Sequence, residues 1–206
     1  YPCSMQFTLK STTMFALLTF VSGCLHLEQE INLNNDNSGK FRIFFSVPRT
    51  TADQFADPQN SQHLAWRQLF DIRSGQKLYE DGSGLSVTRY RVFDRDERRH
   101  VRIEGRIDDL ERALASGKLG DWQLESVGDN TRLTARLPES ADPAGEDARR
   151  ELWDGLYLSL IVTVPGTIVD TSASESRNNR ARWTFDTSVT KDFLRQPSRI
   201  YVEFKD

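Results

Sequence analysis

From Leu25 onward the chain alternates. Leu25, Leu27, Ile31 and Leu33 are apolar, with His26, Glu28, Glu30 and Asn32 between them, and a period of two is that of a strand with one face buried and one in water. After a polar turn over Asn34 to Gly39 the alternation resumes in Phe41, Ile43, Phe45 and Val47. The two segments predict a β-hairpin with a longer loop.

Between Thr50 and Asp81 the period changes. Asp57-Pro58 breaks the chain, and Leu64, Trp66, Leu69, Phe70 and Ile72 recur at near-helical intervals, which predicts helix. The turn Asp81-Gly82-Ser83-Gly84 precedes a strand carrying Leu85, Val87, Tyr90, Val92 and Phe93, and a polar turn over Asp94 to His100 leads to a partner strand with Val101 and Ile103. A short helix follows, with Asp108 as N-cap, Leu110, Ala113 and Leu114 on one face, and Gly117 as its end.

Two further strands are predicted around Trp122 and Leu124 and around Leu133, Ala135 and Leu137, followed by an exposed polar insertion from Glu139 to Arg150. The stretch Leu156 to Val164 is almost continuously apolar and ends at Pro165-Gly166, the pattern of a central strand covered on both faces. Alternation returns in Trp183 and Phe185 and in Ile200, Val202 and Phe204. Hairpins with helices inserted between them predict a single α+β domain built on a mostly antiparallel β-sheet.

The N-terminal segment obeys a different logic. From Met5 a short n-region containing Lys10 leads into the apolar run Met14 to Val21 and then Ser22-Gly23-Cys24, the order of a signal peptide and its small-residue cleavage site. The run is well short of the roughly 20 residues needed to span a bilayer. Val21-Ser22-Gly23-Cys24 resembles the lipobox of bacterial lipoproteins, which implies diacylglyceryl transfer to the Cys24 thiol and cleavage after Gly23. Residues 1–23 are therefore expected to be a signal peptide, with Tyr1 to Ser4 upstream of the true start, and residues 24–206 a lipid-anchored domain. Acyl chains on Cys24 give stable anchoring because each buried methylene contributes about 0.8 kcal/mol. Leu25, rather than Asp, after the lipidated residue favours the outer membrane in a cell that has two.

Composition narrows the partners. The chain has 206 residues, 37% hydrophobic and 28% charged, with twelve Phe, five Tyr and four Trp, so a packed core is expected. Its net charge is -3, and removal of residues 1–23 takes only Lys10. No basic surplus marks it as a binder of nucleic acid, which is not expected as a partner. Both cysteines, Cys3 and Cys24, precede the globular part from Leu25 to Asp206, which rules out a disulfide framework, thiol catalysis and cysteine-ligated metal within it.

Several linked stretches resemble the LppM-like family of bacterial lipoproteins: a hairpin starting at the lipidated Cys24, Gly84-Leu85-Ser86-Val87 before a charged hairpin, and Ile107-Asp108-Asp109-Leu110 closing it. Leu160-Ile161-Val162-Thr163-Val164-Pro165-Gly166 and Ala181-Arg182-Trp183-Thr184-Phe185 extend the likeness to about Asp186. The resemblance implies an α+β envelope domain, tethered by lipid, that binds a lipid or glycolipid.

Motifs for catalysis are weak. His26, His63 and His100 lack the spacing that holds zinc, and no metal or cofactor is expected. Ser188-Val189-Thr190-Lys191 matches Ser-x-x-Lys without its companion motifs. Asp94, Asp96 and Glu97 interleave with Arg95, Arg98 and Arg99, and local pairing accounts for them. Trp66, Trp122, Trp153 and Trp183 are the candidates for lining an apolar ligand cavity, as an alternative to plain core packing. The expected function is a non-catalytic, membrane-tethered binding protein; an accessory subunit of an envelope protein complex and an enzyme with a site outside known motifs are the alternatives.

Overall fold

A computed structural model describes residues 25–56, 64–136, 155–189 and 199–205. The first hairpin is β1 (His26–Leu33) and β2 (Gly39–Pro48), in register from His26 opposite Ser46 to Leu33 opposite Gly39. Three short helices come next, where the sequence predicts helix: α1 (Arg49–Ala56), α2 (Leu64–Phe70) and α3 (Ile72–Glu80). They lead to the hairpin β3 (Leu85–Arg95) and β4 (Arg98–Ile107), in which β4 adds to the free side of β2. After α4 (Leu110–Ala115) come β5 (Asp121–Val127) and β6 (Asn130–Arg136), then β7 (Tyr157–Thr163), β8 (Thr167–Thr171), β9 (Glu175–Arg177), β10 (Arg180–Asp186) and β11 (Ile200–Lys205).

These strands form two sheets. The larger has seven strands in the order β3-β4-β2-β1-β7-β10-β9, and the smaller has four in the order β5-β6-β11-β8. All pairs are antiparallel except β1 with β7. A parallel pair needs a long crossover, and here the return passes through the helices and hairpins between β1 and β7. The result is the single α+β domain with a mostly antiparallel sheet that the pattern predicts.

From β3 across to β10 one face of the large sheet is apolar, and it is covered in two parts, while the edge strand β9 is exposed. Over β3, β4 and β2 lie the helices: Trp66 packs on Phe45, Phe55 and Phe70, and Tyr79 stacks on Phe41. Gly75 of α3 sits against the Tyr90 ring, where an added Cβ would fall 2.2 Å from the phenol oxygen, so only glycine permits the Tyr90 hydroxyl to donate to the Leu69 carbonyl at 2.6 Å. Burial holds both the Tyr79 and Tyr90 phenols well above the ordinary tyrosine range.

Over β1, β7 and β10 lies the small sheet. Trp122 of β5 meets Trp183 of β10 edge to face, with centroids 6.4 Å apart. Gln29, on the buried face of β1, donates from Nε2 to the Leu119 carbonyl at 2.7 Å, an inward polar side chain that the simple alternation of β1 conceals. On β11, an interior strand of the small sheet, Glu203 accepts from Asn130 and Arg132, and these bonds hold its carboxyl below the usual range.

The structure moves three boundaries. The turn between β3 and β4 is two residues, Asp96 and Glu97, both with positive φ (50° and 59°), rather than the loop expected over Asp94 to His100. Such a turn favours Asn-Gly or Asp-Gly, so Asp-Glu does not announce it; the Arg49 amide donating to the Glu97 carbonyl at 2.8 Å helps hold it. The N-cap of α4 is Asp109, which accepts from the Arg112 amide, and not Asp108. β7 is central in the sheet, as expected, yet only its Leu158, Leu160 and Val162 side faces the apolar core; on the other side Ser159 is buried while Tyr157, Ile161 and Thr163 are half-buried. Leu137 and the Glu139 to Arg150 insertion lie outside the described residues.

Candidate functional site: an aromatic ladder on the outward face of the large sheet

Alternation sends every second residue of the large sheet away from the helices and the small sheet. At one end of that outward face the register aligns Phe93, His100, Ser46, His26 and Tyr157 in a single row across β3, β4, β2, β1 and β7. Phe44, one step inward on β2, leans between the two histidines, and five rings form a ladder. Phe93 stacks on His100 (5.0 Å, 14°) and His100 on Phe44 (5.4 Å, 22°). Phe44 meets His26 edge to face at 6.1 Å, and His26 packs on Tyr157 at 4.4 Å.

The ladder dictates the state of His100. Its Nε2 lies 3.1 Å from the Arg95 carbonyl, which can only accept, so Nε2 carries the proton. Nδ1 is buried and has no hydrogen-bond partner among the described residues. Such a nitrogen costs desolvation energy, and rings stack on both faces of the imidazole. His26 Nε2 pairs with Glu28 at 2.8 Å. The structure thus brings together His26 and His100, separated by 74 positions in sequence, on one surface; His63 lies outside the described residues.

Around the ladder the outward positions are basic. β3 contributes Arg89, Arg91 and Arg95, β4 contributes Arg98, Arg102 and Arg106, and β2 contributes Lys40 and Arg42. Against these eight cations stand Glu104 on β4, Glu28 and Glu30 on β1 and, just beyond the strand ends, Asp96 beside Arg95 and Asp108 beside Arg106. The carboxylates are shared: Glu104 meets both Arg89 (3.4 Å) and Arg102 (2.6 Å), and Glu30 meets both Arg42 and Arg180. Arg98 donates to the hydroxyl and carbonyl of Ser46, and Arg182 reaches Ser159 Oγ and the Tyr157 hydroxyl. Arg91 has no ion pair among the described residues. The total charge of -3 therefore conceals a segregated basic face, which composition could not reveal because acidic residues elsewhere cancel it.

The tryptophans expected as ligand contacts fall into two separate places. Trp66 is 4% exposed among the helices, and its Nε1 finds no hydrogen-bond partner among the described residues. Trp122 and Trp183 lie between the sheets, with Trp183 Nε1 donating to Ser172 Oγ at 3.1 Å. Trp153, Cys24 and residues 1–23 lie outside the described residues. Ser188 of the Ser-x-x-Lys match is exposed and bonds locally to Asp186, while Asp94 and Asp96 pair with Arg99 and Arg95 as local pairing predicts. Among the described residues no cluster of three or more His, Cys, Asp or Glu is placed to hold a metal ion, and no helix is long and apolar enough to cross a membrane.

No family model matches the chain, and no curated protein matches it. Among solved structures it is similar to the folded domain of the LppM protein of Mycobacterium tuberculosis, with a TM-score of 0.53 and 13% identity, over 90% of this chain and 92% of that one. The fold is LppM-like. A looser likeness, TM-score 0.34 and 11% identity, covers this whole chain and 32% of yeast LTA4 hydrolase in complex with bestatin, and has no bearing on function.

Proposed function

We propose that the chain is a lipid-anchored protein of the bacterial cell envelope whose domain binds a lipid, glycolipid or related envelope molecule and catalyses no reaction. The observation that carries this reading is the position of Val21-Ser22-Gly23-Cys24 immediately ahead of β1. A thiol preceded by two small residues suits acyl transfer and cleavage, and the LppM-like fold of the domain beyond it is in keeping with an envelope lipoprotein. Because β1 begins two residues after Cys24 and is paired on both sides, the reach from acyl group to sheet is at most about 7 Å of chain. The domain is held against the membrane rather than suspended from a linker. Its ligand would enter between the two sheets, where Trp122 and Trp183 present apolar rings.

Anchoring and binding are tested separately. Cells fed a labelled fatty acid should incorporate it into the wild-type chain and not into Cys24→Ser, which should leave the membrane fraction; an unlabelled wild type refutes the anchor. Native mass spectrometry of the Cys24→Ser chain should show co-purifying lipid, and repeated spectra of bare protein would refute the binding role.

A further inference from the structure

We infer that the ladder end of the outward face docks on the anionic phospholipid headgroups of the membrane that holds the anchor. Two independent observations converge there. The first is charge. Phe93 is flanked on β3 by Arg91 and Arg95, and His100 on β4 by Arg98 and Arg102, so each ring has an arginine one step away on either side. Guanidinium groups bind phosphate oxygens through paired N–H donors. The acidic residues near this end are Asp96, paired with Arg95 at 3.1 Å, the turn residue Glu97, Glu28, paired with His26, Glu104, paired with Arg102, and Asp186, which stands opposite Tyr157 on β10 and accepts from Ser188. Aromatic rings beside basic side chains suit the headgroup level of a bilayer, where an apolar body and a polar edge are both accommodated. Phe93, 39% exposed, is the ring placed to enter it.

The second observation is position. The ladder row runs through His26, the first residue of β1, so the chain enters the sheet from Cys24 at the same end as the rings and their arginines. This placement rests on the reading of Cys24 as the anchor, whereas the charge argument does not. A single-stranded nucleic acid is the rival polyanion, but its bases need ring faces open for stacking. Here the faces of His100 are occupied by Phe93 and Phe44.

The test uses the full chain carrying Cys24→Ser, floated with vesicles of phosphatidylcholine alone or of equal parts phosphatidylcholine and phosphatidylglycerol. The apolar segment ahead of residue 24 is common to every arm, so the ratio between vesicle types reads the face. Binding should favour the anionic vesicles. Arg91→Gln with Arg102→Gln should cut that preference by about fivefold per arginine, roughly 25-fold together. Arg73→Gln with Lys77→Gln, exposed on α3, should leave it unchanged. Equal binding to both vesicle types overturns the inference, as does an equal loss in the α3 pair, or capture of a single-stranded oligonucleotide without preference for anionic vesicles. If the arginine pair prevents folding, a salt series on the Cys24→Ser chain decides: preference that survives high ionic strength also overturns it. Fatty-acid labelling of the wild type reports on the anchor alone, so either claim can fail without the other.

Discussion

The two faces of the large sheet are made by the same strands and obey opposite rules. Inward, Phe41, Ile43, Phe45, Val101 and Ile103 are buried under helices, and each removes apolar area from water at about 25 cal/mol per Å². Outward, the alternate residues of the same strands are arginines, shared carboxylates and a row of rings. Exposed ion pairs of this kind contribute roughly 0–1 kcal/mol each, so stability does not explain why so many cations are gathered there. The difference separates what keeps the domain folded from what it presents to its surroundings.

Three substitutions would sharpen or break that contrast. The largest effect is expected inward, where Trp66→Ala removes a ring packed on three others and should cost about 3–5 kcal/mol in urea unfolding. Phe44→Ala, in the middle of the ladder, should cost far less, about 0.5–1.5 kcal/mol for the ring contacts. A cost equal to that of Trp66→Ala would show the outward rings to be structural, and the two faces would not differ in kind.

The smallest effect belongs to the hairpin tip, where the inward face turns polar. Arg99 bonds Asp94 at 2.9 Å and holds its carboxyl below the ordinary aspartate range. A depressed carboxyl adds stability that is present above its unfolded value of about 3.9 and is lost as pH falls through its lower folded value. Asp94→Asn should therefore cost less than roughly 1 kcal/mol at neutral pH, and the gap between variant and wild type should close in acid. Melting curves across that range check it; a gap that persists in strong acid would mean the pair is not its source.

The elements were legible where side chains repeat with burial. β1, β2, β10 and β11 emerge from apolar positions two apart, β7 from a continuous apolar run, α2 from helical spacing, and α4 from spacing and a cap one residue from the true one. β8 and β9 were not, because their outward and edge positions are mostly exposed and carry no core signal. In sequence the β3–β4 tip looks like loop because its inward positions are Asp94 and Arg99, an ion pair standing where apolar residues would mark a strand. The tryptophans were visible as residues, yet nothing local could divide Trp66 from the pair Trp122 and Trp183.

The sequence by itself determined the α+β class and the first hairpin, since alternation and turns are properties of neighbouring residues. The tertiary structure alone decided that β7 returns beside β1, that two sheets share the inner face, and that His26, Phe44, Phe93, His100 and Tyr157 become one ladder among arginines. Those facts depend on strand order and register, which are set by which buried faces pack together across the whole chain. Net charge, a sum over all residues, cannot report how the fold sorts them between two faces.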